Sequence, residues 1–191
     1  MSTDPISDAI RESIATKERL LRECQDSIRR LCDEAVQCLS RGGKLLLCGN
    51  GGSSCDAAHA AGELVGWFLA KNRKGYPAIA LGHEVPTLTA IGNDAGYDEV
   101  FARQAEALGR RGDVLIGFST SGNSKNVVKA LERAKAAGLR TVALTGSKGG
   151  RCAELADVAV KVPSDETPRI QESHLLLVHI LCAAVEARVP A

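Results

Sequence analysis

His59 and Glu63 lie four apart in a segment, Ser54 to Leu69, whose pattern predicts a helix, so both side chains project from one face. A His/Glu pair at this spacing is commonly a solvated surface contact. Here the neighbours Ala57, Ala58, Ala60, Ala61, Gly62 and Leu64 are small or apolar, which permits a partly buried pair. Burying Glu63 with neither partner nor metal would be costly. Near the C-terminus, Gln171, His174 and His179 interrupt a strongly apolar segment. Imidazole and carboxylate groups can transfer protons near neutral pH or hold a metal. A single histidine in an apolar helix can equally fill the core, so the residue types leave proton transfer, metal binding and packing all open.

Two loops have the chemistry of anion sites. The first, Cys48-Gly49-Asn50-Gly51-Gly52-Ser53-Ser54, follows an apolar run and opens a helix. Its glycines let backbone N–H groups approach an anion, and the helix N-terminus adds partial positive charge. It is neither a dinucleotide fingerprint, lacking the third glycine, nor a P-loop, lacking the lysine. The second, Ser119-Thr120-Ser121-Gly122-Asn123-Ser124, carries four hydroxyls in six residues where one would serve as a cap. Such a loop can satisfy several phosphate oxygens without a permanent charge.

The elements that must position these residues read as a doubly wound α/β sandwich. Apolar runs at Lys44–Cys48, Ala78–Leu81, Val114–Phe118, Thr141–Leu144 and Val158–Val162 predict five strands. Helical patterns fall between them, at Ser54–Leu69, Val85–Gly92, Tyr97–Ala107, Ser124–Ala137 and Gly150–Ala156. Continuous rather than alternating apolar strands, each followed by a helix, describe a parallel sheet covered on both faces. Ligands of such sheets sit at the carboxyl ends of the strands, where both loops fall. A last helix, Ile170–Val189, is apolar most of the way round and is expected to be deeply buried. From Ile6 to Leu39 no Gly or Pro occurs, and Ile6, Ile10, Ile14, Leu21, Ile28, Leu31, Ala35 and Leu39 recur at helical spacing. This predicts one long helix, or two joined near Asp26. Its apolar stripe needs a covering surface, on the core or on another subunit.

Composition narrows the class. At 191 residues with 45% hydrophobic content, the chain can bury roughly two thirds of its unfolded surface as one domain, taken as 1–191 with a helical arm over 1–40. Lysine plus arginine (24) nearly balance aspartate plus glutamate (23), which argues against nucleic acid or a charged membrane as partner. Seven cysteines, odd in number and without a CxxC pair, read as small core residues of a reducing compartment. No run of apolar residues approaches the ~20 of a membrane helix, so the cytoplasm is expected.

The segments CGNGGSSCDAAHAAGEL, LTAIGNDAGYDEVFARQ, GDVLIGFSTSGNSKNV, VALTG and RIQESHLLLVHILC together closely resemble the phosphoheptose isomerases of the sugar isomerase (SIS) domain superfamily. The resemblance runs from about Ile6 to Glu186. It implies a flavodoxin-like SIS fold and a homotetramer with sites at subunit interfaces. It also implies conversion of sedoheptulose 7-phosphate to D-glycero-D-manno-heptose 7-phosphate, the first step toward the activated heptose of lipopolysaccharide or related glycans. By the same resemblance, one zinc ion per subunit falls on His59, Glu63, Gln171 and His179. Substrate contacts fall on Asn50, Gly51, Gly52, Glu63, Asn93, Asp94, Ser119, Thr120, Ser121, Ser124 and Gln171, and Glu63 and His179 are the catalytic pair.

That assignment meets a geometric constraint. Gln171 and His179 are eight residues apart, about 12 Å along a straight helix, whereas zinc donors sit about 2 Å from the metal. Either Gln171 precedes the first regular turn, or the two come from different subunits. Trp67 stands where many relatives of this kind have a basic residue, and Pro168 where a small or acidic one is usual; both bear on the exact sugar. Two other functions are compatible with the fold: a non-catalytic tetrameric scaffold binding the bacterial replication initiator, and an isomerase or sensor for another sugar phosphate.

Overall fold

The structure, a computed structural model, describes residues 4–189. The chain enters through α1 (Pro5–Glu23), capped by Asp4, whose carboxylate accepts from the Ile6 and Ser7 amides. Pro5 occupies a first-turn position whose N–H would have no helical partner. The long helical stretch is two helices joined near Asp26: α2 (Gln25–Ser40) begins after a break at Cys24. The stripe divides accordingly. Leu31, Ala35 and Leu39 of α2 are buried, while Ile6, Ile10, Ile14 and Leu21 of α1 remain exposed.

Five strands follow: β1 (Leu45–Cys48), β2 (Ala78–Ala80), β3 (Val114–Ser119), β4 (Arg140–Thr145) and β5 (Val158–Lys161). All pairings are parallel, in the order β2-β1-β3-β4-β5. This is the expected five-stranded doubly wound sheet. Side chains alternate across it, so Leu45 and Leu47 enter one core and Leu46 and Cys48 the other. The first core joins the sheet to α2, α3 (Gly52–Val65) and α8 (Thr167–Arg188). The second packs under α4 (Val85–Ala95), α5 (Val100–Leu108), α6 (Lys125–Ala136) and α7 (Gly150–Leu155). Burial from both sides explains the continuous apolar run of β1, β3 and β4, whereas the edge strands β2 and β5 are only partly covered.

Several boundaries move for identifiable reasons. Helix α3 stops at Val65, not Leu69, because the next amides, Phe68, Leu69 and Ala70, all donate to the Glu186 carboxylate instead of continuing the helix. The segment expected to begin at Tyr97 starts as a 3-10 turn (Tyr97–Glu99) before α5, and α4 runs past Gly92 to Ala95. Helix α8 begins at Thr167, with Pro168 in its first turn where a missing N–H costs nothing. Its burial is one-sided: Ile170, His174, Leu177, Val178, Leu181 and Val185 face the core, whereas Leu175, Leu176 and Ile180 are only partly covered. At 22 residues α8 is long and apolar enough on average to cross a membrane, although no single run in the sequence is; here it packs along α2 and α3. Six cysteines are buried as expected, but Cys55 is exposed, on the outer face of the first turns of α3.

Candidate active site

The strand order reverses direction between β1 and β3, and the loops leaving these two strands flank the reversal. That point, at the carboxyl ends of the strands, is where doubly wound sheets bind ligands. After β1, Gly51 takes a left-handed conformation (φ 57°) that turns the chain into α3. After β3, Gly122 (φ 69°) passes so near the next loop that an added Cβ would lie 1.9 Å from the Gly149 carbonyl oxygen. Glycine is required here on both counts.

A reciprocal amide pair locks the two loops together. Asn50 donates through Nδ2 to Asn126 Oδ1 (2.9 Å), and Asn126 returns the bond to Asn50 Oδ1 (2.8 Å). Tyr97 Oη adds a third bond to Asn50 Oδ1 (3.2 Å). Neither Asn126 nor Tyr97 was singled out from the sequence, since both lie inside segments read as ordinary helix. In the serine loop, Ser119 is buried and bonded to Ser124 Oγ (2.9 Å), so these two hydroxyls brace the loop. Thr120 and Ser121 line an open cavity of about 300 Å³ together with Asn123, Ser147, Lys148 and Asp165. Lys148 supplies a cation that the hydroxyl-only reading had not included.

The acid–base residues meet one layer away. Helix α3 packs against α8, and His59 Nε2 lies 3.2 Å from Glu63 Oε1 and 3.2 Å from His179 Nε2. The His59 and His179 ring centroids are 5.2 Å apart, and Phe68 stacks on the His179 ring at 5.5 Å. Sequence alone could not join His179 to His59, which lies 120 residues earlier. Asp56, one turn before His59, was also missed. Its Oδ2 is buried with no partner, and burial pushes its carboxyl up to about 6, opposed by the charge of His59.

Gln171 is not brought to this cluster. It sits inside α8, which removes the possibility that it precedes the first regular turn, and its amide packs against Gly52: a Cβ there would lie 2.7 Å from Gln171 Nε2. Asn93 and Asp94, at the end of α4, bond to each other (2.7 Å), and Asp94 lines a separate cavity with Glu99 and Arg133. His174 is a core residue, packed edge-on against Phe118 and bonded through Nε2 to the Thr145 carbonyl (3.4 Å). Another cavity, about 650 Å³, opens at the opposite end of the sheet beside Lys44, Arg110 and Asp113 and holds none of these residues.

Among the described residues, no group of three or more His, Cys, Asp or Glu side chains is arranged to hold a metal ion. Both 3.2 Å contacts nevertheless converge on one imidazole nitrogen, His59 Nε2. Neighbouring donors on a tetrahedral ion with bonds of about 2.0–2.1 Å are themselves about 3.3 Å apart. Two imidazoles and a carboxylate are donor types that zinc takes, so the chemistry of the set, rather than a preformed cage, suits such an ion.

The SIS domain family model matches residues 10–146. A phosphoheptose isomerase of Helicobacter pylori (strain P12) is 50% identical over 185 residues, covering 95% of this chain and 96% of the relative. The chain belongs to the phosphoheptose isomerase family. Solved phosphoheptose isomerases agree with its fold: that of Neisseria gonorrhoeae superposes with a TM-score of 0.88 at 42% identity, covering 94% of this chain and 97% of the other. That of Francisella tularensis gives 0.93 at 37% identity, covering 98% and 100%. As a phosphoheptose isomerase fold, the sheet thus places the serine loop and the His59, Glu63, His179 cluster on loops and helices that leave its carboxyl edge.

Proposed function

We infer that the chain is an aldose–ketose isomerase that converts sedoheptulose 7-phosphate to D-glycero-D-manno-heptose 7-phosphate, supplying heptose for lipopolysaccharide or a related surface glycan. The observation carrying this reading is the convergence of Glu63 and His179 on His59, in a fold that also presents a hydroxyl-lined anion loop at the carboxyl end of β3. Isomerisation moves a carbonyl from C2 to C1, which requires taking a proton from C1 and returning one to C2 through an enediol(ate). Glu63 is the base that carries it. His179 exchanges protons with the two oxygens. Thr120 and Ser121, with the helix N-terminus behind them, hold the phosphate and so fix the distance of the reacting carbons from Glu63. Phe68 shields one face of His179 from water.

Zinc, one ion per subunit held by His59, Glu63 and His179, is the metal the donor set suits, and when bound it would supply Lewis-acid polarisation of the carbonyl. Gln171, 12 Å or so along α8 from His179, joins that set only from another subunit. The exposed stripe Ile6, Ile10, Ile14 and Leu21 supports a homotetramer in which α1 of a single SIS domain packs on a neighbour. Seven free thiols, six of them buried, support the cytoplasm as its location. A scaffold that only bound a protein partner would have no use for the Glu63 and His179 convergence.

The experiment is turnover of heptulose, hexose and pentose phosphates by wild type and Glu63→Gln. Heptulose phosphate is expected to be the preferred substrate, and the variant to lose roughly 10²–10⁴-fold in kcat. Equal turnover by Glu63→Gln would overturn the reading.

A further inference from the structure

Beyond the reacting groups, one buried ion pair spans the elements that carry them. Glu186 lies two turns past His179 on α8, and all of its acceptor capacity goes to the 66–75 loop. Its Oε1 accepts from Phe68 N (3.2 Å) and Arg73 Nε (2.7 Å), and its Oε2 from Leu69 N (3.0 Å) and Ala70 N (2.9 Å). Arg73 directs its other N–H groups to the end of α3 and to its own loop. Nη2 donates to the Glu63 carbonyl (2.7 Å), and Nη1 to the carbonyls of Leu64 (2.9 Å) and Lys74 (3.0 Å). The guanidinium also lies over the Tyr76 ring at 4.5 Å. The two charged side chains are 5% and 7% exposed. For Glu186, burial alone would raise the carboxyl; the Arg73 bond and three amide bonds outweigh it and hold it at about 2.

A buried ion pair is often no more stabilising than apolar packing of the same volume. This one, however, ties together three pieces of the site: the Glu63 backbone, the helix of His179, and Phe68, which stacks on His179. We propose that Arg73 and Glu186 are positioning residues for the isomerisation, a clamp that sets the spacing between Glu63 and His179 and seats Phe68 on the His179 ring. The proposal rests on the catalytic roles given to Glu63 and His179. Lysine at position 73 can still pair with Glu186, but its single ammonium cannot also reach the Glu63 and Leu64 carbonyls in a planar fork. Arg73→Lys therefore keeps the charge and loses the geometry.

The test compares steady-state kinetics of Arg73→Lys, Glu186→Gln and Glu63→Gln, with folding followed by circular dichroism. Trp67 is the only tryptophan in the chain and sits on the clamped loop, so its acrylamide quenching reports loop position. In folded Arg73→Lys, kcat is expected to fall about 10- to 100-fold, because misplacement on the ångström scale is enough for that. KM should stay within about threefold, as the phosphate loop is untouched. Trp67 should become more accessible in Glu186→Gln, which also serves as the second variant if Arg73→Lys does not fold. Wild-type kcat in either folded variant overturns the positioning role, as does a fall in kcat matched by an equal fall in folded protein. Full turnover in Glu63→Gln would instead overturn the role of Glu63 itself, so the two failures are distinguishable.

Discussion

Residue types account for chemistry only once their surroundings are known, and the four histidines show this. His59 and His179 face each other at 3.2 Å, His83 meets the Ser54 hydroxyl at 3.0 Å on the surface, and His174 is enclosed. Burial drives the His174 imidazole down to about 4, with the Thr145 carbonyl pulling weakly the other way. Its unfolded value is about 6.5. Because the folded value is depressed, the unfolded chain binds the proton first. The contribution is present in full above about pH 6.5 and is lost as pH falls toward 4, amounting to about 3 kcal/mol. Urea unfolding of wild type at pH 7 and pH 4 is expected to show that loss, and His174→Leu to show a smaller pH difference. An unchanged difference would mean other groups dominate acid unfolding.

At the scale of elements, the decisive features are turns. Gly122→Ala would force an L side chain into φ 69° and against the Gly149 carbonyl. We expect a loss of about 2–4 kcal/mol, from strain together with overpacking, and a raised KM because the anion loop shifts. Thermal melts and substrate titration measure the two effects. Helix α1 is joined to the start of α8 by Arg169, which donates to the Ala9 carbonyl (2.6 Å) and pairs with Glu172. Its outward face remains apolar at Ile6, Ile10 and Ile14. Ile10→Lys with Ile14→Lys is expected to lower the assembly size seen by light scattering while leaving the subunit folded. An unchanged mass would assign that face to solvent.

For the whole molecule, the question is whether the site belongs to one chain. Within a subunit His59, Glu63 and His179 converge, whereas Gln171 is held at Gly52. If metal binding is shared between subunits, the α1 double variant should lose metal affinity together with its assembly. A monomeric variant with full metal content and activity would place the complete site in one chain. Chelation of the wild type is expected to lower both turnover and melting temperature, since a ligand bound only to the folded state stabilises it by mass action. Calorimetry before and after metal is restored checks this.

Much of this protein was legible in order along the chain. Five apolar runs, each followed by a helical pattern, determined a parallel sheet with both faces covered, because strands buried on two sides cannot alternate. The serine loop and the His59 and Glu63 spacing were likewise readable, since helix geometry alone places residues four apart on one face. Tertiary structure decided what local pattern has no means to express. It ended α3 at Val65 through a carboxylate 117 residues beyond Leu69, set Asn126 against Asn50, left Asp56 Oδ2 buried without a partner and turned Cys55 outward. It also brought His179 onto His59 and left Gln171 apart. Such contacts depend on how helices pack across a sheet, which periodicity along one helix does not encode.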